Sequence, residues 1–117
     1  EIKKETGERF HKQQSPIALL LRIILSSSQI GDMVLDPFAG TGTTLVVAEQ
    51  TGRKSIGIEI DTENVACIKN RLKQISKSDS LSKFYKDYIY TENLQKIWNV
   101  DSTFSVPENR TLRLFNV

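Results

Sequence analysis

Apolar and polar positions alternate between two periods along this chain, and the switch between them marks out the elements. Residues 1–14 are polar and mixed in charge. The pair Ser15–Pro16 then reads as a helix start, with Ser15 as N-cap and Pro16 at the first helical position. Ile17, Leu20, Leu21, Ile24 and Leu25 follow at i, i+3, i+4, i+7 and i+8, one broad helical face. The polar stretch SSSQIGD ends that helix, and MVLD predicts a short buried strand ending at Asp36. After the loop PFAGTG, the segment TTLVVAEQT predicts a helix that Gly52 stops. Ile56, Ile58 and Ile60 alternate at period two, the mark of a second strand. Asp61 or Thr62 caps a third helix, on which Val65, Ile68, Leu72 and Ile75 share a face and Arg71 and Lys73 lie near the C-terminal end.

Residues 33–75 thus predict strand, loop, helix, strand, helix, the opening of a parallel βαβ arrangement in an α/β fold. Beyond Ser76 the pattern loosens. SKSDSLSK resembles a linker, KFYKDYIYTENLQKIW predicts one helix or two short ones, and VPENRTLRLFNV is ambiguous. We divide the chain into residues 1–75, which carry the glycine loop, and a tail, 76–117, packed on that core or on a missing half.

Composition narrows the class only a little. The chain has 117 residues, a net charge of +2 and 26% charged residues, a balance that neither demands nor excludes a nucleic-acid partner. Cys67 is its single cysteine, so no intrachain disulfide forms and a reducing, cytoplasmic compartment is expected. No apolar run approaches the ~20 residues of a membrane span. The sequence opens on Glu1 rather than Met, in mid-pattern, and we expect it to be part of something longer.

The candidate chemistry lies in LDPFAGTGTT, residues 35–44. A nucleoside-triphosphate loop would need Lys after its last glycine, and none follows Gly42. A dinucleotide loop would need a third Gly or Ala where Leu45 stands. Asp36, directly before the loop, would repel a pyrophosphate but attract an ammonium. Glu59 ends the second strand a little over 20 residues later, the usual place for a carboxylate that accepts ribose hydroxyls. A ligand with an amino-acid head, a nucleoside body and no phosphate fits this set, and S-adenosylmethionine has that composition.

VLDPFAGTGTT closely resembles the cofactor-binding motif of DNA methyltransferases that modify the exocyclic amino group of adenine or cytosine, and its Asp-Pro-Phe opening is typical of their beta class. HKQQSP, residues 11–16, resembles the family's motif before the first helix, usually His-Pro-Thr-Gln-Lys-Pro. His11, Gln14 and Pro16 match it, whereas Lys12, Gln13 and Ser15 depart. GIEID resembles the ribose-binding motif. The resemblance covers roughly residues 11–72 and implies a partial Rossmann-like methyltransferase fold, parallel strands with flanking helices. It implies a cofactor site of His11, Gln14, Asp36, Phe38, Ala39, Gly40, Thr41, Gly42, Thr43, Thr44, Glu59, Ile60 and Asp61. Asp36 would hold the methionine ammonium, the loop amides would meet the methionine end, Phe38 would pack near the cofactor, Glu59 would hold the ribose and Ile60 would lie against the adenine.

The family's catalytic Asp/Asn/Ser-Pro-Pro-aromatic motif is not in this sequence, whose prolines stand at 16, 37 and 107. We assign no catalytic residue and no metal ligand, and expect the C-terminal cofactor-binding region of an adenine methyltransferase, with cytosine as the other target. Such an enzyme fits a restriction-modification system, acts on DNA, and needs its catalytic half, a partner chain or a second copy. A non-catalytic S-adenosylmethionine-binding module and an enzyme acting on RNA or protein are the competing classes. Cys67, in the middle of a helix, reads as a small core residue. The tail residues Tyr85, Tyr88, Tyr90 and Trp98, interleaved with lysines, could stack on nucleic acid, but we favour packing on the core or on the missing half.

Overall fold

A computed structural model of the chain describes residues 16–99 and the backbone of 112–116. His11, Gln14 and Ser15 lie outside the described residues.

The first helix, α1 (Ile17–Ser27), buries Ile17, Leu21, Ile24 and Leu25, the stripe set by its apolar spacing. Pro16 is not its first helical residue. With ψ at 136° it is extended and takes the N-cap position itself, so the helix starts one residue later than expected. At the other end the hydroxyls of Ser26, Ser27 and Ser28 donate to the carbonyls of Arg22, Ile23 and Ile24. This competes with helix continuation, and the chain leaves the helix at Ser28 in an extended conformation.

Two strands, β1 (Met33–Asp36) and β2 (Lys54–Glu59), run parallel, with Leu35 opposite Ile56 and Asp36 opposite Gly57. The helix between them, α2 (Thr43–Gln50), is the crossover that parallel pairing demands. After β2 comes α3 (Thr62–Lys73), and a third strand, β3 (Leu112–Asn116), lies parallel on the far side of β2, giving the order β1-β2-β3. The ambiguous end of the sequence therefore contains a strand. The described architecture is α/β, with parallel strands and flanking helices.

The core sits around α2, of which every residue from Leu45 to Gln50 is buried. Val47 and Ala48 pack with α1, while Leu45 and Val46 pack with Ile68 and Leu72 of α3. The sheet corrects one expectation. β1 is not buried: Met33 is 48% and Leu35 58% exposed, and only Val34 packs into the core. In β2 the buried positions belong to the small residues Ser55 and Gly57, while Ile56 and Ile58 are only partly buried. Because strand side chains alternate between faces and Leu35 is in register with Ile56, Leu35, Ile56 and Ile58 form a second apolar sheet face. Ile60 lies beyond the strand and is exposed.

Residues 76–83 are not a linker. Leu81 is fully buried in the cluster formed by α1 and α2, and Asp79 is buried as the partner of Arg71. The aromatic stretch folds as a 3-10 turn (Leu81–Phe84) running into α4 (Tyr85–Tyr88), followed by α5 (Leu94–Ile97). Trp98 is fully buried in the same cluster, with Tyr85 and Tyr88 meeting its ring edge-on at 5.9 and 5.5 Å. The buried Arg53 joins the two regions, donating to the Ser28 hydroxyl and carbonyl, the Thr51 carbonyl and the Ile97 carbonyl.

Candidate functional site

In a parallel sheet the strand ends that face the following helices form the usual ligand crevice. Here that edge is made by the loop 37–42 and the turn after β2. Asp36 starts the loop by accepting the Phe38 amide at 3.0 Å through Oδ1, a short side-chain turn that ends β1. The Ala39 amide donates to the Ile58 carbonyl at 2.9 Å, so the loop stays tied to β2 after strand pairing has ended. A tight turn follows, closed by the Gly42 amide on the Ala39 carbonyl at 2.9 Å.

Both loop glycines adopt left-handed backbone angles, Gly40 at φ 57° and Gly42 at φ 89°, but they differ in surroundings. A Cβ on Gly40 would make only an ordinary contact, 4.0 Å from the Phe38 carbonyl oxygen, whereas one on Gly42 would lie 2.6 Å from Cγ1 of Ile68. Gly42, the N-cap of α2, lies directly against Ile68 of α3. Gly42→Ala is expected to cost about 2–4 kcal/mol of stability, combining the left-handed penalty with overpacking of a full core. Gly40→Ala carries only the backbone term, about 1–2 kcal/mol. Chemical denaturation of the two variants checks this difference.

Glu59 is the hub of the site. Its Oε1 accepts the Gly40 amide at 3.1 Å, and its Oε2 accepts the Asp61 amide at 3.1 Å and the Asn64 side-chain amide at 3.0 Å. The carboxylate thus braces the glycine loop against the start of α3. Asp61 is the N-cap of that helix, accepting the Glu63 and Asn64 amides at 2.8 and 3.4 Å. Phe38 and Ile60, on the two segments that the Gly40–Glu59 bond joins, are 86% and 76% exposed, two apolar surfaces beside two carboxylates.

The sequence-predicted residues therefore separate. Asp36, Phe38, Gly40, Glu59 and Ile60 gather at the strand ends. Ala39, Thr41, Gly42 and Thr43 are buried, and Thr44 is half-buried. The Gly40 and Gly42 amides are engaged by Glu59 and Ala39, while the amides of Thr43 and Thr44 belong to the first turn of α2, which lacks intrahelical acceptors.

Beneath the loop lies a pair that sequence reasoning missed. Arg71 is buried and donates through Nη1 to the Thr41 carbonyl at 2.9 Å and the Thr43 hydroxyl at 3.1 Å. Its Nε and Nη2 grip both oxygens of the buried Asp79 at 3.0 and 2.8 Å. Its placement near the helix C-terminus was legible, but its main partners are the loop and Asp79. A signal was present: Arg71 stands at i+3 from Ile68 and beside Leu72, a charge on the edge of an apolar face. Burial pushes the neighbouring Cys67 thiol above its ordinary range, with Arg71 opposing that shift and Asp79 adding to it. Cys67 is thus a poor thiolate.

Among the described residues no group of three or more His, Cys, Asp and Glu could hold a metal ion, and no helix is long and apolar enough to cross a membrane. The residues at the strand ends suit a nucleoside bearing an ammonium group: the exposed Phe38 and Ile60 offer apolar contact, Asp36 offers negative charge, and Glu59 joins the two strand ends.

The profile of a DNA methylase family, the N6- and N4-methyltransferases, matches residues 1–70. Over 74 residues the chain is 49% identical to "Type II methyltransferase M.HinfI" of Haemophilus influenzae, covering 63% of this chain and 21% of that protein. Over 88 residues it is 50% identical to "DNA adenine methyltransferase YhdJ" of Escherichia coli (strain K12), covering 74% of this chain and 29% of that protein. The chain thus spans less than a third of these curated relatives. The glycine loop, with Asp36 before it and Glu59 bonded to it, lies inside the matched region, and the chain belongs to the DNA methylase family that modifies exocyclic amino groups.

Proposed function

We propose that this chain forms the S-adenosylmethionine-binding wall of a DNA methyltransferase that modifies the exocyclic amino group of adenine, with cytosine as the other target, in a restriction-modification setting in the cytoplasm. The observation that carries this reading is the bond from the Gly40 amide to Glu59, which ties the glycine loop to the end of β2 inside a family-matched segment. The adenine target is favoured by the name of the relative from Escherichia coli, a DNA adenine methyltransferase.

S-adenosylmethionine supplies an electrophilic methyl group on a sulfonium centre. Asp36 would hold the methionine ammonium. The first-turn amides of α2 would face the methionine end, where a helix N-terminus favours negative charge. Glu59 would orient the ribose while keeping the loop shut. Phe38 and Ile60 would cover the apolar faces of the nucleoside and exclude water. The chain's contribution is positioning, which brings the methyl carbon into line with an incoming amino nitrogen.

In this reading the Pro-Pro-aromatic motif that holds the flipped base belongs to the enzyme beyond these 117 residues. The partly open sheet face of Leu35, Ile56 and Ile58 and the outer strand β1 are where that catalytic half, a partner chain or a second copy would pack. The test is transfer of labelled methyl from S-adenosylmethionine to DNA by the complete protein carrying this chain. Label in the amino group of adenine is expected, and Asp36→Ala should reduce transfer at limiting cofactor about tenfold or more through loss of a charge-assisted contact. A complete protein that labels no base in mixed-sequence DNA would contradict the proposal.

A further inference from the structure

Arg71 and Asp79 are a buried pair outside the strand-end site, and Arg71 reaches its loop from below. The guanidinium presents its donors along two edges. One edge, Nε and Nη2, is filled by both Asp79 oxygens. The other reaches the Thr41 carbonyl and the Thr43 hydroxyl through Nη1. Those acceptors flank Gly42, the left-handed residue that turns the loop into α2. Fixing the Thr41 carbonyl fixes the 41–42 peptide plane, and fixing the Thr43 hydroxyl fixes the first residue of α2.

Asp79 is itself held. Its amide donates to the Ser76 carbonyl and hydroxyl at 3.1 and 3.2 Å. Its carbonyl accepts from Gln50 Nε2 at 2.8 Å, and Gln50 Oε1 accepts the Leu81 amide at 3.0 Å. Gln50 is the last residue of α2, and Thr43 the first. The loop end of α2, Arg71, Asp79 and the far end of α2 therefore form a closed circuit of hydrogen bonds. Residues 76–81 are thereby tied to the glycine loop through Arg71.

We infer that the Arg71–Asp79 pair is a positioning device for the cofactor loop, so that the segment 76–81 sets the affinity of the strand-end site. The inference rests on the cofactor reading given above. Arg71 is a positioning residue, acting through the Thr41 carbonyl and the Thr43 hydroxyl. Lysine cannot replace it, because a single ammonium lacks the two-edged planar fork.

The test compares the complete wild-type protein with Arg71→Lys and with the milder Asp79→Asn, which touches the loop only through Arg71. Amide hydrogen exchange without cofactor, the affinity for S-adenosylmethionine by calorimetry and the melting temperature are measured, all binding and exchange well below each variant's melting point. In Arg71→Lys, exchange at residues 40–45 should rise about tenfold and Kd should weaken about tenfold, while β2 exchange stays unchanged. Asp79→Asn should move both quantities in the same direction by a smaller factor. A lowered melting temperature with loop exchange and Kd unchanged in both variants would make the pair merely structural and overturn the inference. Wild-type protein that does not bind S-adenosylmethionine would overturn the cofactor reading and the coupling with it. A loop that loosens in the variants without weakening Kd would overturn the coupling alone.

Discussion

Replacing Trp98 by alanine is expected to cost about 3–5 kcal/mol of stability, the range for truncating a large buried aromatic side chain. Trp98 is fully buried, the largest of the fully buried side chains, and lies against α1 and α2 rather than in a separate tail. Its ring takes the edges of Tyr85 and Tyr88, so the truncation also removes two aromatic pairs. Set against a typical total of 5–15 kcal/mol, the loss takes a large part of the margin. Tyr90→Ala is the control. That residue is 95% exposed, and the change should stay within about 0.5 kcal/mol. Urea denaturation of the two variants measures both. A Trp98→Ala loss below about 1 kcal/mol, the central value for ordinary point changes, would mean that residues 76–99 do not share the core.

Asp79→Ala has a comparable expected effect, about 3–5 kcal/mol, because it leaves the buried Arg71 guanidinium without its counter-charge. The pair need not add stability over an apolar pair for this to hold, since the loss comes from stranding one charge. Removing both partners should therefore cost less than the two single changes added together. A double-mutant cycle with Arg71→Leu and Asp79→Leu, read by thermal or urea unfolding, measures that coupling. Additive losses would show that the two side chains act independently.

These two sites lie where sequence reading was weakest. The stripe Ile17, Leu21, Ile24 and Leu25, the helix from Thr43, the second strand to within a residue at each end and a helix cap at Asp61 or Thr62 were legible because each is decided within a few residues of chain. The burial of Asp79 is not local. It depends on Arg71 eight positions away and on Gln50 twenty-nine positions away, and the surrounding serines and lysines read as a solvated linker. The exposure of Leu35 was hidden for a related reason: apolar composition marks a strand for burial without saying which face the chain covers. β3 was ambiguous because its pairing partner, β2, lies more than fifty residues back. At the candidate site, the glycines, Asp36 and Glu59 were legible as a pattern. The bracing of Gly40 by Glu59 and the inward turn of the Thr41 carbonyl toward Arg71 were not.

Glu59 joins the local pattern to the spatial site. Titration of S-adenosylmethionine into the complete protein, wild type and Glu59→Ala, followed by calorimetry, decides whether it does. Saturable binding by the wild type is expected. Affinity should weaken at least tenfold in a folded Glu59→Ala protein, which would lose both the proposed ribose contact and the brace on the Gly40 amide, an effect on the order of 1.5–3 kcal/mol for hydrogen bonds to a charged group. Equal affinity in a folded Glu59→Ala protein, or no binding by the wild type, would contradict this reading.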